Sequence, residues 1–161
     1  MCTKILSLDQ ASVVTGFAVF DNKTLANYGT INLNKVPKEK RFDGMVEKIG
    51  KLIKEVRPDS IVFEEVSLQS NPKTLTKLAR IQGAIILYCA EIKCPYAIYE
   101  PSSWRKTLGF VQGRNIHRDD LKKQAIKYVA DTFNIENIEE DACEAICIGV
   151  ANIKKGLIVK Q

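Results

Sequence analysis

The first apolar run of the chain, Ile5-Leu6-Ser7-Leu8, ends directly on a carboxylate, Asp9, and the short polar loop Gln10-Ala11-Ser12 follows. A short apolar run of this kind reads as a buried strand. A carboxylate at the end of a strand bound for the core is costly unless something binds it. The fold therefore has to open a charged site at the C-terminal end of a central strand. The chain has 161 residues, 45% hydrophobic and 27% charged. That is enough to bury a full core, and the expectation is one globular domain over residues 1–161.

The remaining pattern is ordered. Thr15, Phe17 and Val19 alternate with smaller residues, so Thr15 to Asp21 reads as a second strand, and Asp21-Asn22-Lys23 supplies a turn. Leu25 to Leu33 reads as a third. The connections are too short for helical crossovers, which makes these three strands an antiparallel meander. A basic linker, Lys35 to Arg41 with Pro37, leads to a helix from about Lys40 to Val56. Its stripe is Phe42, Met45, Val46, Ile49, Leu52, Ile53 and Val56. Ser60 to Phe63 is a short buried strand with Glu64 and Glu65 at its end, and the intervening helix makes its pairing parallel.

A second long helix is expected over Pro72 to Glu91, with Asn71 as N-cap and Pro72 in its first position. One apolar face holds Leu75, Leu78, Ala79, Ile85, Ile86 and Cys89; a second, nearly opposite, holds Ile81, Ala84 and Tyr88. A fifth strand, Pro95 to Tyr99, precedes a short helix around Ser102 to Leu108 and a glycine-containing loop over Gly109 to Gly113. Helices from Arg118 to Phe133 and from Glu139 to Lys155 complete the chain. Meander, helix, strand, helix, strand and terminal helices is the order of the ribonuclease H-like α/β fold: a five-stranded mixed sheet flanked by helices.

On the last helix Asp141 and Glu144 are three residues apart and share a face with the apolar Ala145 and Ile148. Two acids there repel each other and each resists desolvation, and metal ions relieve both costs. With an acid at each of two strand ends, this makes a four-carboxylate cluster, and hard oxygen ligands in that number suit Mg²⁺ or Mn²⁺. Two such ions about 4 Å apart can activate water and stabilise a leaving oxygen in phosphodiester hydrolysis. Strand alternation lets only one of Glu64 and Glu65 join the cluster; the other projects away, toward a basic partner. The competing reading makes Asp141 and Glu144 ordinary surface charges that complement a helix N-terminus.

The net charge is +5. Arg105, Lys106, Arg114, Arg118, Lys122, Lys123 and Lys127 cluster between Trp104 and Lys127, opposed only by Asp119 and Asp120. Lys73, Lys77 and Arg80 form a second basic row on one helix face. Such clustering is the footprint of phosphate contacts, although Lys122, Lys123 and Lys127 also read as a solvated face. His117 reads as a loop residue touching DNA and Trp104 as a packing residue. The five cysteines, Cys2, Cys89, Cys94, Cys143 and Cys147, are odd in number and follow no zinc spacing, so they read as small buried hydrophobes. Without a membrane-span pattern or signal peptide, the expected compartment is cytoplasmic.

The stretches that carry this chemistry resemble the RuvC family of Holliday-junction resolvases, within the ribonuclease H-like superfamily. Ile5 to Gly16 resembles the opening motif, with Asp9 in the place of the first metal ligand. Phe63-Glu64-Glu65-Val66 resembles the second, which aligns Glu64 with the catalytic glutamate. Asp141-Ala142-Cys143-Glu144-Ala145 resembles the final acids, with Glu144 where aspartate or histidine is more usual. Arg105 and Arg118 resemble basic positions near the scissile phosphate. Two departures stand out: the family's Asp-Pro-Gly turn is Asp9-Gln10-Ala11, and its frequent aromatic three positions after the glutamate is Ser67, unless Phe110 compensates. The resemblance implies a homodimeric, Mg²⁺-dependent endonuclease of DNA recombination and repair, acting on four-way junctions. Its small size is similar to that of bacteriophage members, which act in the host cytoplasm.

Ile81, Ala84 and Tyr88 are the expected dimer face, because a twofold dimer uses one patch on both subunits. Loss of the aromatic at Ser67 implies weak dependence on sequence and activity extending to three-way junctions and forks. Other readings are a ribonuclease H-like nuclease acting on RNA or RNA–DNA hybrid, and a non-catalytic branched-DNA-binding protein. An actin-like or sugar-kinase ATPase would need two copies of the fold and a glycine-rich phosphate loop.

Overall fold

The structure is a computed structural model, and it describes residues 3–68 and 71–156. Its elements follow the expected order. Three strands, β1 (Lys4–Asp9), β2 (Val14–Asp21) and β3 (Thr24–Asn32), precede α1 (Lys38–Val56), β4 (Ser60–Glu64), α2 (Pro72–Glu91) and β5 (Tyr96–Tyr99). Then come α3 (Pro101–Thr107), α4 (Arg118–Phe133) and α5 (Glu140–Lys155). The sheet order is β3-β2-β1-β4-β5; β1 is antiparallel to β2 and parallel to β4, and β4 is parallel to β5. Helix α1 starts two residues earlier than the periodicity indicates, because Pro37 takes the N-cap position and the polar Lys38 and Glu39 already follow helical geometry. Asn71 caps α2 as expected, its side chain accepting from the Lys73 backbone N–H at 2.8 Å. No helix among the described residues is long and apolar enough to cross a membrane.

Strand alternation divides the core in two. Leu6, Leu8, Ile61 and Phe63 face α1 and α2; Ile5 and Val62 face the layer built by α3, α4 and α5. Asp9 has the parity of Ile5 and Ser7, and Glu64 that of Val62, so both acids stand on the α5 side. Helix α5 is buried along nearly its whole length, from Ala142 to Asn152. It lies very close to the sheet: an added Cβ at Gly149 falls 2.2 Å from the Phe20 ring, and one at Gly16 only 1.8 Å from the Asp141 carbonyl oxygen. The Ser7 hydroxyl, fully buried, donates to the Ala145 carbonyl at 2.7 Å and ties β1 to the turn that carries Glu144.

Two expectations are corrected. Ile81 does not lie opposite the main apolar face of α2: it is 0% exposed and packs in the α1/α2 core with Ile85 and Cys89. Positions 78, 81, 85 and 88 follow the i, i+3, i+7, i+10 stripe of a single face. Tyr88 is half-buried; its ring lies against Gly50 and its hydroxyl donates to the Val46 carbonyl at 3.3 Å. Ala84 is half-buried at the edge of that face, and Ala79 is exposed. Ile81 is therefore unavailable for docking. The solvent face of α2 instead carries Ala79, Gly83, Leu87 and Ala90, with Leu87 58% exposed.

The cysteines behave as buried hydrophobes. Cys89, Cys94, Cys143 and Cys147 are free and buried. Burial pushes the Cys89 thiol up to about 12 and those of Cys94 and Cys143 up to about 11, far from the thiolate a metal requires. Cys2 lies outside the described residues.

Candidate active site

Asp9 ends β1, Glu64 ends β4, and Asp141 and Glu144 occupy the first turn and a half of α5. Because β1 and β4 are parallel neighbours, with Leu8 opposite Phe63, their acids emerge side by side. Helix α5 crosses the same edge with its N-terminus. Carboxylate oxygens of Asp9, Asp141 and Glu144 lie within 4.8 Å of one another, all three residues half-buried. Glu64 lines the same cleft, about 820 Å³ in volume, but stands beside the trio.

The electrostatics are those of a site short of positive charge. Asp9 titrates well above the usual carboxylate range, first because it is buried, then through the charges of Glu144 and Glu64. Burial also raises Glu64 and Glu144, which Arg105 and Arg118 partly offset. Asp141 is raised by burial and drawn back by Lys122. Clustered, partly desolvated acids that hold one another's protons are what a divalent cation would relieve, and the all-oxygen donor set fits a hard ion.

Two side chains that sequence reasoning did not place in the site hold Glu64. The indole Nε1–H of Trp104 donates to Glu64 Oε2 at 2.7 Å, and Trp104 is itself 0% exposed. It is a packing residue, as expected, but also a donor to the acid 40 positions earlier. Gln10 meets the backbone of Glu64: its Nε2–H donates to the carbonyl at 2.5 Å and its Oε1 accepts from the N–H at 3.3 Å. Glu65 projects to the opposite side, as alternation requires, but its partner is an amide rather than a base: Gln82 Nε2 donates to Glu65 Oε1 at 3.1 Å.

The basic residues separate by position. Arg105 and Arg118 line the cleft. The Arg105 guanidinium lies over the Trp104 ring, 5.0 Å from its centroid, and its Nε is buried without a hydrogen-bond partner among the described residues. Lys106, Arg114, Lys73, Lys77 and Arg80 are exposed outside the cleft wall. His117 is exposed at the N-cap of α4, where its backbone N–H donates to Asp120 Oδ2 at 2.9 Å. Lys122 pairs with Glu140 at 2.6 Å and Lys127 with Asp131 at 2.6 Å, so both are engaged locally. Phe110 does not replace the aromatic missing at Ser67. It is 9% exposed and packs edge-on against Trp104, with ring centroids 5.6 Å apart.

A family model described as crossover junction endodeoxyribonuclease RuvC matches residues 5–152. The chain belongs to the RuvC family. Among relatives of that name, the protein of Halorhodospira halophila is 28% identical over 113 residues, 66% of this chain and 66% of the relative. Its alignment thus spans just under two thirds of the relative's length. The RuvC of Chlamydia felis is 25% identical over 153 residues, covering 91% of this chain and 87% of its own. The fold is also that of solved structures. T. thermophilus RuvC in complex with a Holliday junction substrate superposes with a TM-score of 0.73, at 13% identity over 96% of this chain and 95% of its own. The Fowlpox virus resolvase, solved with Holliday junction DNA, gives 0.64 at 15% identity over 99% of this chain and 100% of its own. The expected ribonuclease H-like architecture with its five-stranded mixed sheet is thereby borne out.

Proposed function

We propose that this chain, as one nuclease domain over residues 1–161, is a divalent-metal-dependent endodeoxyribonuclease. It cuts Holliday junctions and other branched DNA with weak sequence preference, acting as a homodimer. The observation that carries this reading is the convergence of Asp9, Asp141 and Glu144 within 4.8 Å, beside Glu64 and in a cleft that also holds Arg105 and Arg118. A surface built only to bind phosphate gains nothing from four acids. Membership of the RuvC family and the junction complexes of its structural relatives support the choice of substrate.

In this reading Asp9, Glu64, Asp141 and Glu144 hold the metal. Two Mg²⁺ or Mn²⁺ ions bound there supply an activated water and offset charge on the leaving oxygen of a phosphodiester. Trp104 fixes the carboxylate of Glu64 by its indole N–H. Arg105, stacked on that indole, and Arg118, at the first turn of α4, present cations to the scissile phosphate and stabilise charge that develops on it. Lys106, Arg114 and His117 on one rim, and Lys73, Lys77 and Arg80 on the outer face of α2, engage phosphates of the flanking duplex arms. Such contacts position the protein without reading bases, which is the ground for weak sequence preference. The small and apolar solvent face of α2, Ala79, Gly83, Leu87 and Ala90, replaces Ile81, Ala84 and Tyr88 as the face for a twofold partner. A twofold dimer also matches a junction with two equivalent strands to cut.

The test is a cleavage assay with Mg²⁺ on synthetic four-way junctions of varied crossover sequence, three-way junctions, forks, linear duplex and RNA–DNA hybrid. Cuts in every branched substrate, spread over many sequences, with duplex and hybrid spared, are expected. Cleavage of the hybrid alone would make the chain a ribonuclease H-like enzyme of RNA, and tight junction binding without cutting would make it a DNA-binding protein.

A further inference from the structure

The backbone pairing of β1 with β4 runs from Ile5 opposite Ser60 to Leu8 opposite Phe63, and stops one residue short of the two acids. Asp9 and Glu64 are therefore the first residues beyond the β1–β4 ladder. Immediately beyond, the Gln10 carboxamide takes the place of the missing rung. It spans 54 positions to give one hydrogen bond to the Glu64 carbonyl and take one from the Glu64 N–H. A primary carboxamide carries a donor and an acceptor side by side, as a peptide group does, so it can pair with a strand edge where main chain no longer reaches.

The neighbours of Glu64 make this contact consequential. Its carboxylate is held by Trp104 and the next residue's N–H by the Tyr99 carbonyl at 2.9 Å, both on the β5–α3 side. Beyond the end of the ladder, Gln10 restrains its backbone from the β1 side. Gln10 is also covalently next to Asp9, so one side chain links the backbones of two acids whose spacing a metal has to match.

We propose that Gln10 is a positioning residue: its carboxamide extends the β1–β4 pairing past its last rung and sets the distance of Glu64 from Asp9, and with it the affinity of the site for divalent metal. This rests on the reading of the site as a metal-dependent nuclease. Partners that orient ligands in this indirect way change metal affinity or activity about 10–100-fold when removed.

The experiment compares wild type with Gln10→Met, which keeps the length and loses both hydrogen bonds, and Gln10→Glu, which sets an acceptor against the Glu64 carbonyl. Three quantities are measured: Mn²⁺ affinity by calorimetry on the DNA-free protein, the Mg²⁺ concentration for half-maximal single-turnover cleavage of a four-way junction, and junction affinity in EDTA. For Gln10→Met we expect Mn²⁺ affinity to fall about 10–100-fold and the Mg²⁺ requirement to rise in proportion, with junction affinity in EDTA within twofold of wild type. Gln10→Glu should be the more severe variant. Wild-type Mn²⁺ affinity in either folded variant would overturn the proposal. So would a loss of junction binding and thermal stability with no selective change in metal affinity. If wild type binds Mn²⁺ more tightly than Gln10→Met yet cuts no branched DNA, the proposed function falls and the positioning role of Gln10 stands.

Discussion

Replacing Gly16 by alanine tests whether the site depends on the approach of α5 to the sheet. The added Cβ would lie 1.8 Å from the Asp141 carbonyl oxygen, 2.2 Å from its carbon and 2.9 Å from the Ala142 nitrogen. All three are main-chain atoms, so no side chain can swing away. Ordinary contact is about 3.5 Å, so the first turn of α5 has to withdraw from β2 by roughly 1.5 Å. Metal–ligand distances tolerate about 0.2 Å, which removes Asp141 from the trio while leaving Asp9 and Glu64 in place. A misplacement of about 1 Å at a reacting centre costs on the order of 100-fold, and overpacking destabilises by about 1–3 kcal/mol. The expected Gly16→Ala protein is folded, a few degrees lower in Tm, at least about 100-fold slower in cleavage, and stabilised less by Mn²⁺ than wild type in a thermal melt. Junction binding in EDTA should change little, since the basic residues are on other elements. A Gly16→Ala protein with wild-type turnover and the full Mn²⁺ shift would refute both the close approach and the role of Asp141.

Amide replacement of any of Asp9, Glu64, Asp141 or Glu144 should abolish cleavage and leave junction binding intact or tighter. Asp9→Asn should also raise the Tm of the protein in EDTA: the folded state holds the Asp9 proton more tightly than the unfolded chain, so stability falls as pH rises from the ordinary aspartate range toward the raised folded value. Melts of Asp9→Asn in EDTA should accordingly lose that part of the pH dependence, and an unchanged profile would contradict it. Trp104→Phe removes a hydrogen bond to an ionised acceptor, worth about 1.5–3 kcal/mol; cleavage should slow roughly 10–100-fold with junction affinity retained. Leu87→Glu on the solvent face of α2 should convert a dimer to a monomer by light scattering without lowering the protomer's Tm, whereas an unchanged dimeric mass would place the interface elsewhere.

The parts of the fold legible in the sequence are those governed by local period and connection length. Strands β1, β2 and β4 announce themselves by apolar runs and alternation, α1 by a clean stripe, and the short links between the first three strands force the meander. Parity then does the rest for two acids. Asp9 and Glu64 share the α5 face, and Glu65 turns to α2, because alternation carries over directly from chain to space. Helix α2 misled because apolar residues occur nearly all round it. Ile81 does share a face with Ala84 and Tyr88, but at about 100° per residue that face is not opposite the other: Ile81 stands only about 40° from Ile85, and it is buried with Ile85 and Cys89 in the α1/α2 core.

What stayed hidden was pairwise contact across long separations. Nothing local to Trp104 says that its indole N–H finds Glu64, and nothing local to Gly16 says that α5 comes down on it. Gln10 did leave a trace. It interrupts the Asp-Pro-Gly turn that the resemblance leads one to expect, and a proline there has no side-chain donor to offer. The structure gives that departure a physical meaning: where a proline would restrict the loop through its own ring, this chain fixes the end of β4 by hydrogen bonds made across the sheet. The constraint acts on Glu64, the one acid of the four that lies outside the 4.8 Å trio. A site assembled from two strand ends and a helix terminus has no single rigid element to hold it. Gln10, Trp104, Ser7 and the close packing at Gly16 are the contacts that make three separate elements keep one geometry against the repulsion of their own charges.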